Sequence, residues 1–201
     1  QPNPLELFQI WLNLPSDDKL VDPYFTMLWS DDIPVHVVTD SEGRAAHVTV
    51  IAGRFGDVDA PTPPPSSWAA RAEADVAIWH LRLDPGASVT LPPASGQDSQ
   101  RVLYVFEAGS ADGTGAVDVA GTKVGNDTGV QLDASAAVEV TAGDVEVEAL
   151  VLQGQPIGEP VAQYGPFVMN TEAEIEQAFA DYRETQFGGW PWDDEAPTHG
   201  R

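Results

Sequence analysis

The chain has 201 residues, no cysteine and a formal charge of −23, with 32 acidic side chains set against nine lysines and arginines. That length suits one sizeable β domain with its own core, or a domain plus appendages. The missing cysteine excludes disulfides, thiolate metal sites and cysteine nucleophiles, and the acidic surface disfavours direct contact with nucleic-acid phosphates. Lysine occurs only at Lys19 and Lys123, which reads as adaptation to high salt, where self-repulsion is screened; a GC-rich genome is the rival explanation. No apolar window reaches the length of a membrane span. The opening residues show no basic n-region or apolar h-region, so no signal peptide is expected and a cytoplasmic location is. Without an initiator Met, the chain is expected to be a fragment, a processed form or a trimmed version of something longer.

In chain order, residues 5–14 (LELFQIWLNL) are apolar on both faces, which predicts a strand that needs cover on both sides. Residues 19–34 are irregular, with Tyr24, Phe25, Met27, Leu28 and Trp29 as expected core anchors. Val35–Thr39 and Ala46–Ala52 flank a turn at Asp40-Ser41-Glu42-Gly43, a hairpin signal. Residues 53–67 carry Pro61 and Pro63-Pro64-Pro65, which predicts a long loop of polyproline character; a surface excursion is the plainer reading beside a proline-motif ligand. Val76–Leu83 alternates, with Ala77, Trp79, Leu81 and Leu83 on one face. Further short runs follow at Ala87–Leu91, Arg101–Glu107, Val117–Ala120, Gly129–Leu132, Ala137–Val140 and Val145–Leu152, separated by glycine-rich turns. Many short strands with helix only at the end argue for a β-barrel or sandwich.

The end of the chain carries the sharpest local signal. Gly165-Pro166 is a turn, and Phe167, Val168 and Met169 form an apolar run that must be buried. Thr171 then stands at a helix N-cap with Glu174 three residues on, the T-x-x-E capping box. Glu172, Glu174 and Glu176 suit the positive end of the helix dipole. Ile175, Ala178, Phe179 and Tyr182 form one apolar stripe, and Gly188-Gly189 is the expected stop. Phe167, Met169, Ile175 and Phe179 are expected to bury the helix. Trp190-Pro191-Trp192 leads into a polar tail.

Four phrases give the chain a relation. Gly165-Pro166-Phe167-Val168-Met169-Asn170-Thr171, with its acidic helix, resembles the C-terminal end of the pirin family. Phe8–Pro15 is similar to that family's LQLWVNLP segment, Leu83–Ala87 to LDPGA, and Gly154–Val161 to GEPLxEPV. Pirins are bicupins, so the resemblance implies a mainly β fold: a cupin-type β-barrel (double-stranded β-helix or jelly roll) with a C-terminal α-helix. It implies residues 1–15 as a strand linking to a missing or partner N-terminal cupin barrel. Residues 16–165 would then be the C-terminal cupin barrel, 166–189 the helix and 190–201 an aromatic and polar tail.

In the family a single non-haem iron is held by three His and one Glu of the N-terminal barrel, whose His-x-His pair precedes the LQLWVNLP segment. This chain is therefore expected to be the C-terminal half, without a cofactor of its own. A cupin places His-x-His after a Pro-Gly turn, but Pro85-Gly86 is followed by Ala87-Ser88-Val89-Thr90-Leu91-Pro92-Pro93, and Gly143–Glu148 holds no His either. The resemblance thus names no catalytic, cofactor-binding or metal residue here. From the residues alone, His36 and His47 on paired strands, His80 and Glu107 form a conceivable four-group metal site, set against the plainer reading of satisfied or surface imidazoles. His199 falls in the tail. The pairs Asp17-Asp18, Asp31-Asp32 and Asp193-Asp194 read as solvated loop charge rather than acid–base dyads. No GxSxG nucleophile, P-loop or GxGxxG is present.

The resemblance implies two functions. One is an iron-dependent dioxygenase similar to quercetin 2,3-dioxygenase, with the active site outside this chain and this half as its support. The other is a redox-responsive, non-enzymatic regulator that binds a transcription factor or a metabolic enzyme, for which an acidic face suits a basic partner. A free-standing lectin-like or storage barrel stands third. The expected partner is the N-terminal cupin domain, in the same protein or on another chain, with no nucleic acid and no membrane.

Overall fold

The computed structural model describes residues 5–24, 26–109 and 117–186. It divides into two compact units, one formed by Tyr24–Pro65 with Ala69–Pro156, the other by the described parts of Gln1–Pro23, Ser66–Trp68 and Ile157–Arg201.

The larger unit holds the strands β1 (Val35–Thr39), β2 (Ala45–Ala52), β3 (Arg54–Phe55), β4 (Val58–Asp59), β5 (Ala77–Leu83), β6 (Ser88–Leu91), β7 (Gln100–Glu107), β8 (Val117–Val119), β9 (Thr122–Val124), β10 (Thr128–Leu132), β11 (Val138–Ala142) and β12 (Val147–Gly154). Six of them form one antiparallel sheet in the order β1-β2-β5-β12-β7-β10, and four form a second in the order β6-β11-β8-β9. This is the jelly roll expected from the sequence, built as two sheets rather than one closed hydrogen-bonded ladder. Period-2 alternation explains the packing. On β5, Ala77, Trp79, Leu81 and Leu83 are buried while Ile78, His80 and Arg82 are not. They share one core with Val48 and Val50 of β2, Leu103 and Val105 of β7, and Val147, Ala149 and Val151 of β12. The second sheet adds Val89, Leu91 and Val140 to that core.

Several expectations change. Residues 5–14 form no strand, and Leu5, Leu7 and Trp11 are 85%, 77% and 61% exposed. A ladder needs a neighbouring edge, and apolar side chains alone do not supply one. Of the expected anchors, Leu28 is half-buried, Tyr24, Met27 and Trp29 are exposed, and Phe25 lies outside the described residues. The proline-rich loop begins with a small hairpin, β3 against β4, pairing Arg54 with Asp59 and Phe55 with Val58. At one edge of the larger sheet, among the described residues, β1 leaves Val35, Val37 and Val38 exposed.

The smaller unit holds the hairpin β13 (Ala162–Tyr164) and β14 (Phe167–Met169) around Gly165-Pro166, then helix α1 (Glu172–Thr185). The capping box is present: Thr171 Oγ1 accepts from the Glu174 amide at 3.3 Å, and the Glu174 carboxylate accepts from the Thr171 amide at 2.7 Å. Ile175 is buried, and Phe179 meets Phe167 and Tyr164 at ring-centroid distances of 4.7 and 5.5 Å. Phe167 and Met169 are half-buried. The helix closes at Thr185, earlier than the glycines predict: Gln186 takes a left-handed conformation and its amide donates to the Tyr182 carbonyl. Gly188-Gly189 and the Trp190–Trp192 segment lie outside the described residues. A polar knot ties the unit's separate segments. Glu159 accepts from the Ser16 amide and from Asn170 Nδ2, both at 2.8 Å. Lys19 Nζ donates to Asn13 at 2.7 Å and to the Val168 carbonyl at 3.3 Å.

Candidate ligand site at one end of the jelly roll

Where β5 begins and β12 ends, the chain leaves a cavity of about 640 Å³, within the range of small-molecule sites. Its walls come from Gly53 and Arg54 after β2, Asp75 and Trp79 around the start of β5, the Pro92–Ser95 segment after β6, and Gln153 of β12.

Asp75 organises the polar side. It has a left-handed backbone (φ 47°), which Asp tolerates better than most residues. Its Oδ2 accepts from Ser99 Oγ at 2.5 Å, from the Gly96 amide at 3.0 Å and from Gln153 Nε2 at 3.1 Å. Gln153 Nε2 also donates to the Asp75 carbonyl. The other end of that amide, Gln153 Oε1, accepts from Arg101 Nε at 2.8 Å and from Arg101 Nη2. Arg101 is wholly buried, and its guanidinium carbon lies 5.7 Å from the centre of the Trp79 ring, a cation–π arrangement. Burial pushes the guanidinium pKa down from its ordinary value, and the Asp75 carboxylate opposes this. Phe55 packs edge-on to Trp79 at 5.0 Å. Two donors remain: Arg101 Nη1 and Trp79 Nε1 are buried with no hydrogen-bond partner. Leaving a buried donor unpaired costs about 1–3 kcal/mol.

Sequence alone does not single these residues out. Asp75, Arg101 and Gln153 are far apart in the chain and form no motif. One signal was present: in RVLYVFE, Arg101 shares its phase with the buried Leu103 and Val105, so an arginine points inward.

The imidazoles of His36, His47 and His80 do not come together as a metal site. His36 pairs in register with Val48 and His47 with Val37, so the two lie on opposite faces of the sheet. His36 meets Phe55 at 5.3 Å and Asp57 at 3.6 Å. His80 shares the outward phase of Thr49 and pairs through Nε2 with Glu148, not Glu107, at 2.6 Å, with Phe106 stacked at 5.8 Å. The Glu107 carboxylate accepts from the Gly109 amide at 3.2 Å. Asp17-Asp18 and Asp31-Asp32 sit in two separate short 3-10 turns. His199 and Asp193-Asp194 lie outside the described residues. Among the described residues, no three His, Asp or Glu side chains converge as metal ligands.

An iron of the kind the resemblance implies therefore finds no matching donor set among the described residues of this jelly roll. Where a cupin's ligands would project, the strand after Pro85-Gly86 presents Ala87, Val89 and Leu91 to the core, and Pro92 and Ala94 line the cavity.

The sequence model of the pirin C-terminal cupin domain matches residues 78–188. A Pseudomonas aeruginosa protein described as a candidate quercetin 2,3-dioxygenase is 34% identical over 185 residues, covering 91% of this chain and 57% of that protein. A pirin-like protein of Caulobacter vibrioides is 34% identical over 180 residues, covering 90% and 58%. A crystal structure of quercetin 2,3-dioxygenase from Acinetobacter baumannii superposes with a TM-score of 0.69 at 31% identity, covering 89% of this chain and 55% of that one. The chain thus spans a little over half the length of these relatives. It belongs to the pirin family and carries that family's C-terminal cupin domain.

Proposed function

We propose that this chain is the C-terminal, supporting half of a pirin whose other barrel holds a non-haem iron and oxidises a flavonol such as quercetin with dioxygen. The observation that carries the reading is the match itself: about nine-tenths of this chain aligns with little more than half of proteins named for that activity. The apolar residues at the donor positions of this jelly roll agree with it. So do the exposed Leu5, Leu7, Ile10 and Trp11, apolar side chains of the kind a neighbouring barrel covers. In this reading residues 1–15 run toward that barrel.

The test compares the full reading frame, loaded with iron, with the 201-residue chain alone. Quercetin loss followed by absorbance should occur with the former and not the latter. Turnover by the 201-residue chain would overturn the division of labour. An inactive, iron-loaded full frame would favour the second reading, a non-enzymatic regulator whose charge of −23 suits a basic protein partner.

A further inference from the structure

We propose that the cavity beside Trp79 is a binding site for a small organic carboxylate, held by the indole N–H of Trp79 and by Arg101. Both side chains are at least nine-tenths buried, and each keeps one donor atom without a partner. Native structures rarely leave such donors unpaired, and a pair of them, one on a wall residue of the cavity and one on the residue packed behind it, calls for an acceptor. Trp79 and Gln153 form that wall; Arg101 lies directly behind it, hydrogen-bonded to Gln153 and stacked near the indole. A carboxylate offers two oxygens, one for each donor, and a charge that offsets the buried guanidinium.

Charge points the same way. The cavity and its backing hold Arg54, Arg71 and Arg101 against Asp59 and Asp75, a local excess of one positive charge in a chain of −23. Asp75 is occupied by Ser99, Gly96 and Gln153, and Asp59 lies 3.4 Å from Arg54. Pro92, Pro93 and Ala94 give the cavity lining an apolar part that suits the hydrocarbon body of such an acid. A cation would meet two unpaired N–H donors here, and among the described residues no three His, Asp or Glu side chains converge to hold it. This site is independent of the oxygenase reading, because no iron and no other domain enters it.

The experiment titrates the 15N-labelled chain with benzoate and follows the indole N–H resonances, that of Trp79 being assigned through Trp79→Phe. Expected is a saturable shift confined to the Trp79 indole. Benzamide, which keeps the shape and loses the charge, should bind about tenfold more weakly, the step one charge-assisted hydrogen bond supplies. Arg101→Met should abolish the shift. Because removing a buried arginine endangers folding, Trp79→Phe is measured as well, by saturation transfer to benzoate, and should weaken binding while leaving the fold in place. A Trp79 resonance that does not move at millimolar benzoate overturns the proposal. So does equal binding of benzamide or benzylammonium, or broadening of the same resonance by Mn²⁺ at stoichiometric ratios.

Discussion

Gly53 shows how one residue fixes the rim of the cavity. Its φ is +75°, and a Cβ there would come within 2.3 Å of the Val76 carbonyl oxygen and 3.1 Å of Ala77 Cα. Backbone cannot swing aside as a flexible side chain does. Gly53→Ala should therefore cost on the order of 2–3 kcal/mol from left-handed strain and the displaced start of β5, read as a lower denaturant midpoint. Glu159 makes a different prediction. The Ser16 amide, then Asn170, the Ser16 hydroxyl and Lys19, hold its carboxyl below its ordinary pKa against the opposing effect of burial. A depressed folded-state pKa gives stability that is present above the unfolded value and lost as pH falls through the folded one. Acidification below the usual glutamate range should thus loosen the smaller unit, seen as a smaller protection factor of the Ser16 amide against hydrogen exchange, relative to its intrinsic rate at each pH. Glu159→Gln should flatten that acid dependence; parallel curves for the two proteins would refute the assignment.

At the scale of elements, α1 depends on its first turn. The Glu174 carboxylate accepts from the Asn170 amide, the Thr171 amide and the Thr171 hydroxyl, at 3.0, 2.7 and 3.0 Å. Thr171→Ala should cost about 1 kcal/mol, and an unchanged midpoint for loss of helical circular dichroism would count against the cap. The cap was legible in the sequence because every group it needs lies within four residues. The same holds for β5, whose alternation predicts its buried face, and for the β1–β2 hairpin with its acidic turn. Residues 5–14 failed for the opposite reason: strand formation is decided by a neighbour, and side chains apolar on both faces name none. The Asp75–Gln153–Arg101 chain was hidden because its members meet only once β12 has paired with β5 and β7. The histidines illustrate register. One residue of offset between His36 and His47 puts them on opposite faces, which spacing alone does not reveal.

For the whole molecule, charge decides the response to solution conditions. With 32 acidic groups on 201 residues, self-repulsion works against the compact state, and salt screens it. The melting temperature should rise from low to molar salt; a flat or falling curve would leave genome composition as the explanation for the scarce lysines. The edge at β1 gives that response a second side. Among the described residues its outer backbone edge carries no neighbouring strand and lies next to exposed valines, an invitation for another copy to add one. At low ionic strength the shared negative field keeps copies apart. Concentrated electrolyte removes that barrier while it firms the fold, so the conditions that raise thermal resistance also bring the protein closer to self-association.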